Sequence, residues 1–429
     1  MRGNHSTYYR PGQTNLTRLQ LVRYEEDWYP AAFVSIIPQT LMVNIYESMF
    51  RPTIYADIFI KDSVNLLQNF PIVGQEYVEI EFETPGGPNS SYAFAVIGAV
   101  NKVSMPTQEG QFYTLRCISQ EHLDTSQRLV TKSYSDYAEN IIYDILDEYL
   151  DIFNPQKPAW GIQKPFYSGE TKDVIKLTIP KLNSLKAIDM VSKRAISKAD
   201  PSSPYFFFES KFGFNFYTLN DLIDFYRDKV NQNVFTLSTS PNATNVEGYD
   251  FESTQYRNIE AYELVKNLNT HQKVQGGAIK NVVRSFNFTT KGFEKQTFDI
   301  KNNDIETTDE DGSLSLTSTM INRYEDPAVE RMVPTSQDVG RNIVDNMGGK
   351  TAAYAFLDEL TANILVSGDS AITVGEIIEL KLPDLAGTTE RKDDDKLVSG
   401  NYLVTKVRHM ISGDEHKMVL QITKLGVSL

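Results

Sequence analysis

The sequence predicts a β-dominated α+β chain, with two antiparallel β-barrel domains and a mixed α+β middle domain between them. Three observations predict it. Two stretches some three hundred residues apart repeat one pattern, Pro71-Ile72-Val73-Gly74-Gln75-Glu76-Tyr77-Val78-Glu79-Ile80-Glu81-Phe82 and Ile372-Thr373-Val374-Gly375-Glu376-Ile377-Ile378-Glu379-Leu380-Lys381-Leu382, each a Val-Gly turn opening an alternating strand. A strand pair follows each copy, Tyr92 to Val103 with Gln111 to Ser119, then Asn401 to Ile411 with His416 to Lys424. The region between them carries helical periodicity. With 429 residues, 41% of them hydrophobic, the chain has room for two to four domains, because one core rarely grows beyond ~250–300 residues.

After a lead over 1–15, the first β domain is expected over 16–129. Thr40 to Tyr46 sets Leu41, Val43 and Ile45 on one face, and Thr53 to Ile60 does the same with Ile54, Ala56, Ile58 and Ile60. Val78, Ile80 and Phe82 continue the buried face while Glu79, Glu81 and Glu83 point to water. The middle domain is expected over 130–240. There Asp136 is placed to cap a helix with Glu139 three residues on, and Ala138, Ile141, Ile142, Ile145 and Leu146 recur at helical spacing until Pro155 ends the run. Ser184 to Ile196 buries Leu185, Ile188, Val191 and Ala195. Tyr205 to Tyr217 reads as an aromatic hairpin, with a short helix from Asn220. The second β domain takes 241–300 and 350–429. It includes a helical piece, then a strand pair, Asn281 to Thr289 and Phe293 to Ile300, turned at Lys291-Gly292. The polar stretch 301–349 reads as an insertion, a helix follows from Lys350 to Asn363, and a charged loop, Glu390 to Lys396, interrupts the second copy.

Composition narrows the function. No signal peptide and no apolar run of the ~18 residues a membrane span needs is present, so no membrane anchor is expected. Cys117 is the only cysteine, which excludes an intrachain disulfide and fits synthesis in a reducing cytoplasm. The five Asn-x-Ser/Thr triplets are then accidents of composition. A net charge of −14 without a basic stripe argues against nucleic-acid binding. An acidic wall would instead let a strand slide past.

Catalytic motifs fall short. Gly348-Gly349-Lys350-Thr351 has the end of a phosphate loop, but Val344 stands where the motif requires Gly and no strand precedes it, so it reads as a helix start. His5, His122, His271, His409 and His416 include no pair at i,i+4 and read as surface or strand histidines. Asp309-Glu310-Asp311-Gly312 and Asp393-Asp394-Asp395 lack calcium-loop spacing. Trp28 and Trp160 alone give little sugar-stacking surface, and Cys117 reads as a small core residue rather than a nucleophile. The aromatics from Tyr205 to Phe216 alternate as core. No residue is therefore assigned a catalytic, cofactor or metal role.

The pattern itself carries a resemblance. Thr40 to Ser48, Ala56 to Asp62, Leu66 and Pro71 to Gly74 resemble the first tube domain of the baseplate hub proteins of contractile-tailed bacteriophages, a tail-tube-like family related to the spike-base domains of contractile secretion systems. In order along the chain, Tyr205 to Ile223 looks like that family's aromatic hairpin and helix. Ala261 to Leu268 through Phe286 to Lys291 is similar to its segment re-entering a second tube domain. Val366-Ser367-Gly368, Val374-Gly375, Gly400 to Val404 and Val407 to His409 resemble its closing strands.

The resemblance implies two tail-tube-like β-barrels per chain and a non-enzymatic homotrimer. Its pseudo-sixfold ring would join the sixfold tail tube to the threefold central spike. Implied partners are the spike, the tail tube protein or its initiator, the tape measure and surrounding baseplate proteins. DNA would pass through the channel unbound during ejection, in a virion made in the host cytoplasm. A tail-associated wall or polysaccharide hydrolase using unseen carboxylates is the alternative reading. A secretion-system spike base is a third, against which stand only five residues after the last strand at Lys424. One departure from symmetry stands out. Inward positions fall four, six and eight residues after Gly74 but three, five and seven after Gly375, and such a shift flips a strand's faces unless a turn or bulge absorbs it.

Overall fold

The structure, a computed structural model, describes residues 11–25, 30–74, 76–84, 88–104, 110–153, 164–226, 233–237, 257–266, 270–287, 290–299, 329–335, 341–357, 360–383 and 398–424. Alternating sequence gives seven strands first: β1 (Asn15–Tyr24), β2 (Pro30–Ser35), β3 (Thr40–Ser48), β4 (Tyr55–Asp62), β5 (Tyr77–Glu83), β6 (Ser90–Ser104) and β7 (Gln111–Ile118). The middle region supplies β8 (Leu129–Asp136), β9 (Phe166–Ser168), β10 (Ile175–Asn183), β11 (Tyr205–Ser210), β12 (Gly213–Thr218) and β13 (Val234–Thr236). The remainder adds β14 (Ile259–Lys266), β15 (Lys280–Asn287), β16 (Gly292–Asp299), β17 (Val329–Thr335), β18 (Thr361–Ser367), β19 (Ile377–Lys381), β20 (Gly400–Ser412) and β21 (Glu415–Lys424).

The two expected barrels do not form. Thirteen strands make one open sheet in the order β14-β18-β21-β20-β3-β4-β7-β6-β5-β1-β2, with β19 on the first half of β20 and β13 beside β19. Among the described residues no sheet closes on itself. The reason lies in β20: residues 400–403 pair with β19, whereas Lys406 to Ile411 pair with β3 of the other β unit, so the sheet runs onward instead of curling back. The β-dominated α+β character holds.

Within that sheet the chain repeats itself strand for strand. β3-β4-β7-β6-β5 has the same order and antiparallel sense as β14-β18-β21-β20-β19. Even the irregularities coincide: β6 against β7 shifts register between Val96 and Gly98, and β20 against β21 shifts between Val404 and Lys406. A second shift recurs between Thr40 and Met42 and between Ile259 and Ala261. The one-residue offset is absorbed in the turn. Gly74 and Gly375 take φ of 88° and 87°, and the carbonyls of Glu76 and Glu376 accept from Val96 and Val404 at 2.8 Å, so the two copies are in step on either side of the turn. Val78, Ile80 and Phe82 then match Ile378, Leu380 and Leu382, all buried.

Each repeat has its own core. The first gathers Val43, Ile45, Ala56, Ile58, Val78, Ile80, Phe82 and Phe94, the second Ala362, Ile364, Ile378, Leu380, Tyr402 and Ile422. Leu41 departs from its expected face, because the shift beside it makes it the extra residue and leaves it 48% exposed. Glu79 departs the other way. It is buried because β1 pairs alongside β5 with Gln20 directly opposite, and Gln20 and Tyr24 both donate to its carboxylate at 2.6 Å.

The middle region packs the helices Ala138–Glu148 and Ser184–Ser192 on the pair β8–β10 and on β11–β12–β9. The aromatic hairpin folds as read, turning at Lys211-Phe212. The capping box at Asp136 and Glu139 does not form: Tyr137 occupies the cap position, Asp136 accepts from Asn140, and Glu139 is drawn to Thr171. Pro155 lies outside the described residues. Asn183 caps the second helix by accepting from the Lys186 amide at 2.8 Å. Ile259 to Lys266 is strand, and the helical piece beyond it is Thr270–Gly276. The hairpin β15–β16 leaves the main sheet and pairs with β17, while the next helix, Arg341–Phe356, begins well before Lys350. No helix among the described residues is long and apolar enough to cross a membrane.

The two turn glycines give a test. Alanine at Gly74 meets nothing nearer than 3.6 Å and should cost about 1–2 kcal/mol for its backbone alone. Alanine at Gly375 would also press its Cβ to 3.2 Å from Phe208, so Gly375→Ala should lower the urea midpoint more than Gly74→Ala.

Candidate functional site: the joint between the repeats

The joint is built by β20 and β3, whose register sets Lys406 opposite Ser48 and Ile411 opposite Val43. Strand parity decides what lies beneath it. Glu47 is in phase with Val43 and Ile45, His409 with Val407 and Ile411, and His416 with Met418 and Leu420, so three polar side chains are carried inward with the core. All three are buried. Glu47 Oε2 accepts from Thr373 at 2.5 Å and its Oε1 from Tyr92 at 3.3 Å. His409 Nδ1 meets His416 Nε2 at 3.1 Å, its Nε2 lies 3.9 Å from Glu47, and His416 Nδ1 lies 3.4 Å from Thr84. Phe82 closes the cluster edge-on to His416 at 5.3 Å. From the middle hairpin, the Lys211 ammonium is buried nearby without a hydrogen-bond partner among the described residues.

Burial governs the charges. It holds the His409 imidazole well below its ordinary value, helped by His416 and Lys211. His416 is brought down to about 4 by burial and then by Lys211. Burial likewise raises the Glu47 carboxyl and lowers Lys211. Two neutral imidazoles sharing one proton between facing nitrogens, with a carboxylate beside them, fix the joint's geometry.

A second buried cluster ties the middle region to the first repeat. Glu209 on β11 accepts from the Ile54 amide at 2.9 Å and from Ser119 at 2.5 Å, while Lys164 bridges Glu209 at 2.6 Å and Glu121 at 2.8 Å. Burial opposes the lysine's charge, but the two carboxylates outweigh it and hold the ammonium above its ordinary value.

The structure separates the other candidate residues. Gly348 to Thr351 lie in mid-helix, where the bare glycines let Phe298 and Ser202 pack closely and Lys350 donates to the Ala195 carbonyl. That arrangement is a packing contact rather than a helix start. His122 is exposed and faces Thr53 at 3.1 Å, and His271 is exposed. Cys117 is fully buried, its thiol pushed up by burial. His5, Trp28, Trp160, Asp309 to Gly312 and the loop 390–396 lie outside the described residues. Among the described residues no group of three or more His, Cys, Asp or Glu could hold a metal ion. His409 and His416 are the residues the sequence reading passed over, and their in-phase positions in apolar strands are the signal that marks them.

No family model matches the sequence, and no curated protein matches it either. Solved structures do. A tail protein from Neisseria meningitidis MC58 superposes with a TM-score of 0.51 at 10% identity, covering 96% of this chain and 98% of its own. The 43 kDa tail protein of prophage MuSo2 from Shewanella oneidensis gives 0.53 at 10% identity, covering 96% and 99%. The fold is thus that of phage tail proteins, shared over nearly the whole length of the chain. At this identity the likeness speaks for fold.

The buried histidines make stability acid-sensitive. Unfolding returns His416 to its ordinary 6.5, so the unfolded chain binds the proton first and stability falls as pH drops from 6.5 to about 4. Glu47, with its raised value, partly offsets this by favouring the fold as it protonates. Thermal melts between pH 7 and pH 4.5 should lose about 2–3 kcal/mol from this source, and His416→Gln should flatten that slope. Lys164→Met should cost about 3–5 kcal/mol by stranding buried carboxylates, with part recovered by adding Glu209→Gln, read as urea midpoints.

Proposed function

We propose that this chain is a non-enzymatic structural hub of a contractile phage tail baseplate. It works as a homotrimer whose six repeats make a pseudo-sixfold ring between the sixfold tail tube and the threefold spike. One observation carries the reading: a single chain presents the same five-stranded unit twice, down to its register shifts. A trimer of such chains offers six near-equivalent surfaces to a tube while keeping three for a spike. The tail-protein fold supports the setting.

The sheet face opposite the two cores would line the central hole. It carries Asp57, Arg116, Lys406 and Arg408, of which Arg116 pairs with Asp57 at 3.3 Å and Arg408 donates to Asn44 at 3.1 Å. Its charges are mixed and locally compensated, and with −14 per chain they suit DNA that passes without being held. The middle region would lie outside the ring, facing the spike and neighbouring baseplate proteins. The tape measure and a tube initiator are further partners of the open ends, in a particle assembled in the bacterial cytoplasm.

Electron microscopy and mass measurement of the purified chain, alone and with its spike, test the reading. The expected result is a threefold ring with a central hole. A chain that stays monomeric in both conditions overturns it.

A further inference from the structure

The two repeats part company at one place. Their matching registers put Tyr55, Ile97, Arg116 and Ile118 of the first at the stations that Thr361, Thr405, Gln421 and Thr423 hold in the second. Bulky and charged side chains give way to three threonines and an amide. Even the ion pair of Arg116 with Asp57, at 3.3 Å, is replaced by an uncharged contact, in which Gln421 donates to Asn363 at 3.3 Å. A cleft of about 250 Å³ opens there, walled by Phe50, Tyr354 and Leu357 and floored by the three threonines and Gln421.

The walls are held from behind. The Met49 amide donates to the Thr405 carbonyl at 3.0 Å, which seats the turn carrying Phe50 on the extra residue of β20. Phe206 of β11 stands edge-on to Phe50 at 6.1 Å and to Tyr354 at 5.4 Å, so one buried ring supports both exposed ones. The floor keeps hydrogen-bonding capacity. Thr361 and Thr423 share one hydrogen bond at 3.4 Å, which leaves one of their two hydroxyl protons to donate. Thr405 donates to the Gln421 backbone carbonyl at 3.0 Å and retains its lone pairs, while the Gln421 side chain retains its oxygen and its second N–H.

We propose that this cleft is a binding site for a neutral sugar ring. None of the described residues that line it carries a charge. A phosphate, carboxylate or ammonium group would therefore enter without a counter-charge and pay heavily in lost hydration. Hydroxyls and an amide set donors and acceptors side by side, which is what the hydroxyls of a pyranose need. The π faces of the walls, negative at their centres, suit the C–H side of the same ring. Stacking surface comes here from Phe50 and Tyr354 rather than from tryptophan. No carboxylate is among the described lining residues, so the sugar is held and not cleaved. The site goes beyond the hub reading and does not depend on it.

Saturation-transfer NMR on the full-length protein tests the site. The probes are the methyl glycosides of glucose, galactose and mannose with N-acetylglucosamine and N-acetylgalactosamine, and glucuronic acid and glucose 6-phosphate serve as charged controls. At least one neutral probe should bind with a dissociation constant on the order of 1 mM, and the charged controls should not. Two variants locate the binding. Phe50→Ala removes a half-exposed wall, and Asn363→Asp/Gln421→Arg copies into the second repeat the pair that the first already folds with. Both should melt near the unmodified protein and weaken the sugar at least about tenfold. Silence from every neutral probe at about 20 mM, well above the affinity expected of so small a ligand, overturns the proposal. Equal binding of the charged controls, or binding that survives in both folded variants, overturns it too. The hub reading stands or falls separately, on the ring.

Discussion

Everything in this fold depends on how the thirteen residues of β20 divide their backbone hydrogen bonds. A strand interior to a sheet has two edges to satisfy, and an unpaired buried amide or carbonyl costs as much as a lost hydrogen bond. β20 meets that demand with β21 along one edge and with two successive partners along the other, first β19 and then β3. Had one partner run the whole length, each repeat could have turned back on itself. Because the partner changes midway, two copies of a small sheet become one large one, and the cores beneath them stay separate.

The change of partner also explains where buried charge is concentrated. Two sheets that share a strand edge must be held at one register; apolar alternation rules out a one-residue slip, which would flip every side chain, but a two-residue slip keeps the same face inward. Glu47, Tyr92, Thr373 and the two histidines give that place a directional network, while Glu209 and Lys164 do the same where the middle hairpin docks on Ile54 and Ser119. Such networks add little net stability compared with well-packed apolar groups. Their use here is to penalise any other alignment.

Much of the fold was legible from alternation alone. The strands around Val78, Ile80 and Phe82, the aromatic hairpin at Tyr205, and the helix burying Ile141, Ile142 and Ile145 each carry their own period, and each stands as read. What the sequence hid was pairing. A period of two says which face is apolar but not which strand lies alongside, so two similar β units looked like two closed barrels. Leu41 and Glu79 depart from alternation for related reasons: one sits at a register shift, and the other is partnered by side chains of a strand that pairs alongside from far away in sequence. The candidate site was legible only as parity. His409 and His416 share the inward phase of their apolar neighbours, but that they touch each other and Glu47 follows from the β20–β21 and β20–β3 registers, which no local pattern contains.

The register shift that recurs at Val96 to Gly98 and at Val404 to Lys406 has a mechanical consequence. An extra residue on one strand bends that strand and tightens its twist. When the bend is at the same station in both repeats, each repeat turns the sheet through a similar angle. Local backbone geometry can then act as the gauge of curvature. The curvature of this sheet is therefore set at two matching stations, Ile97 and Thr405, each the extra residue of its strand.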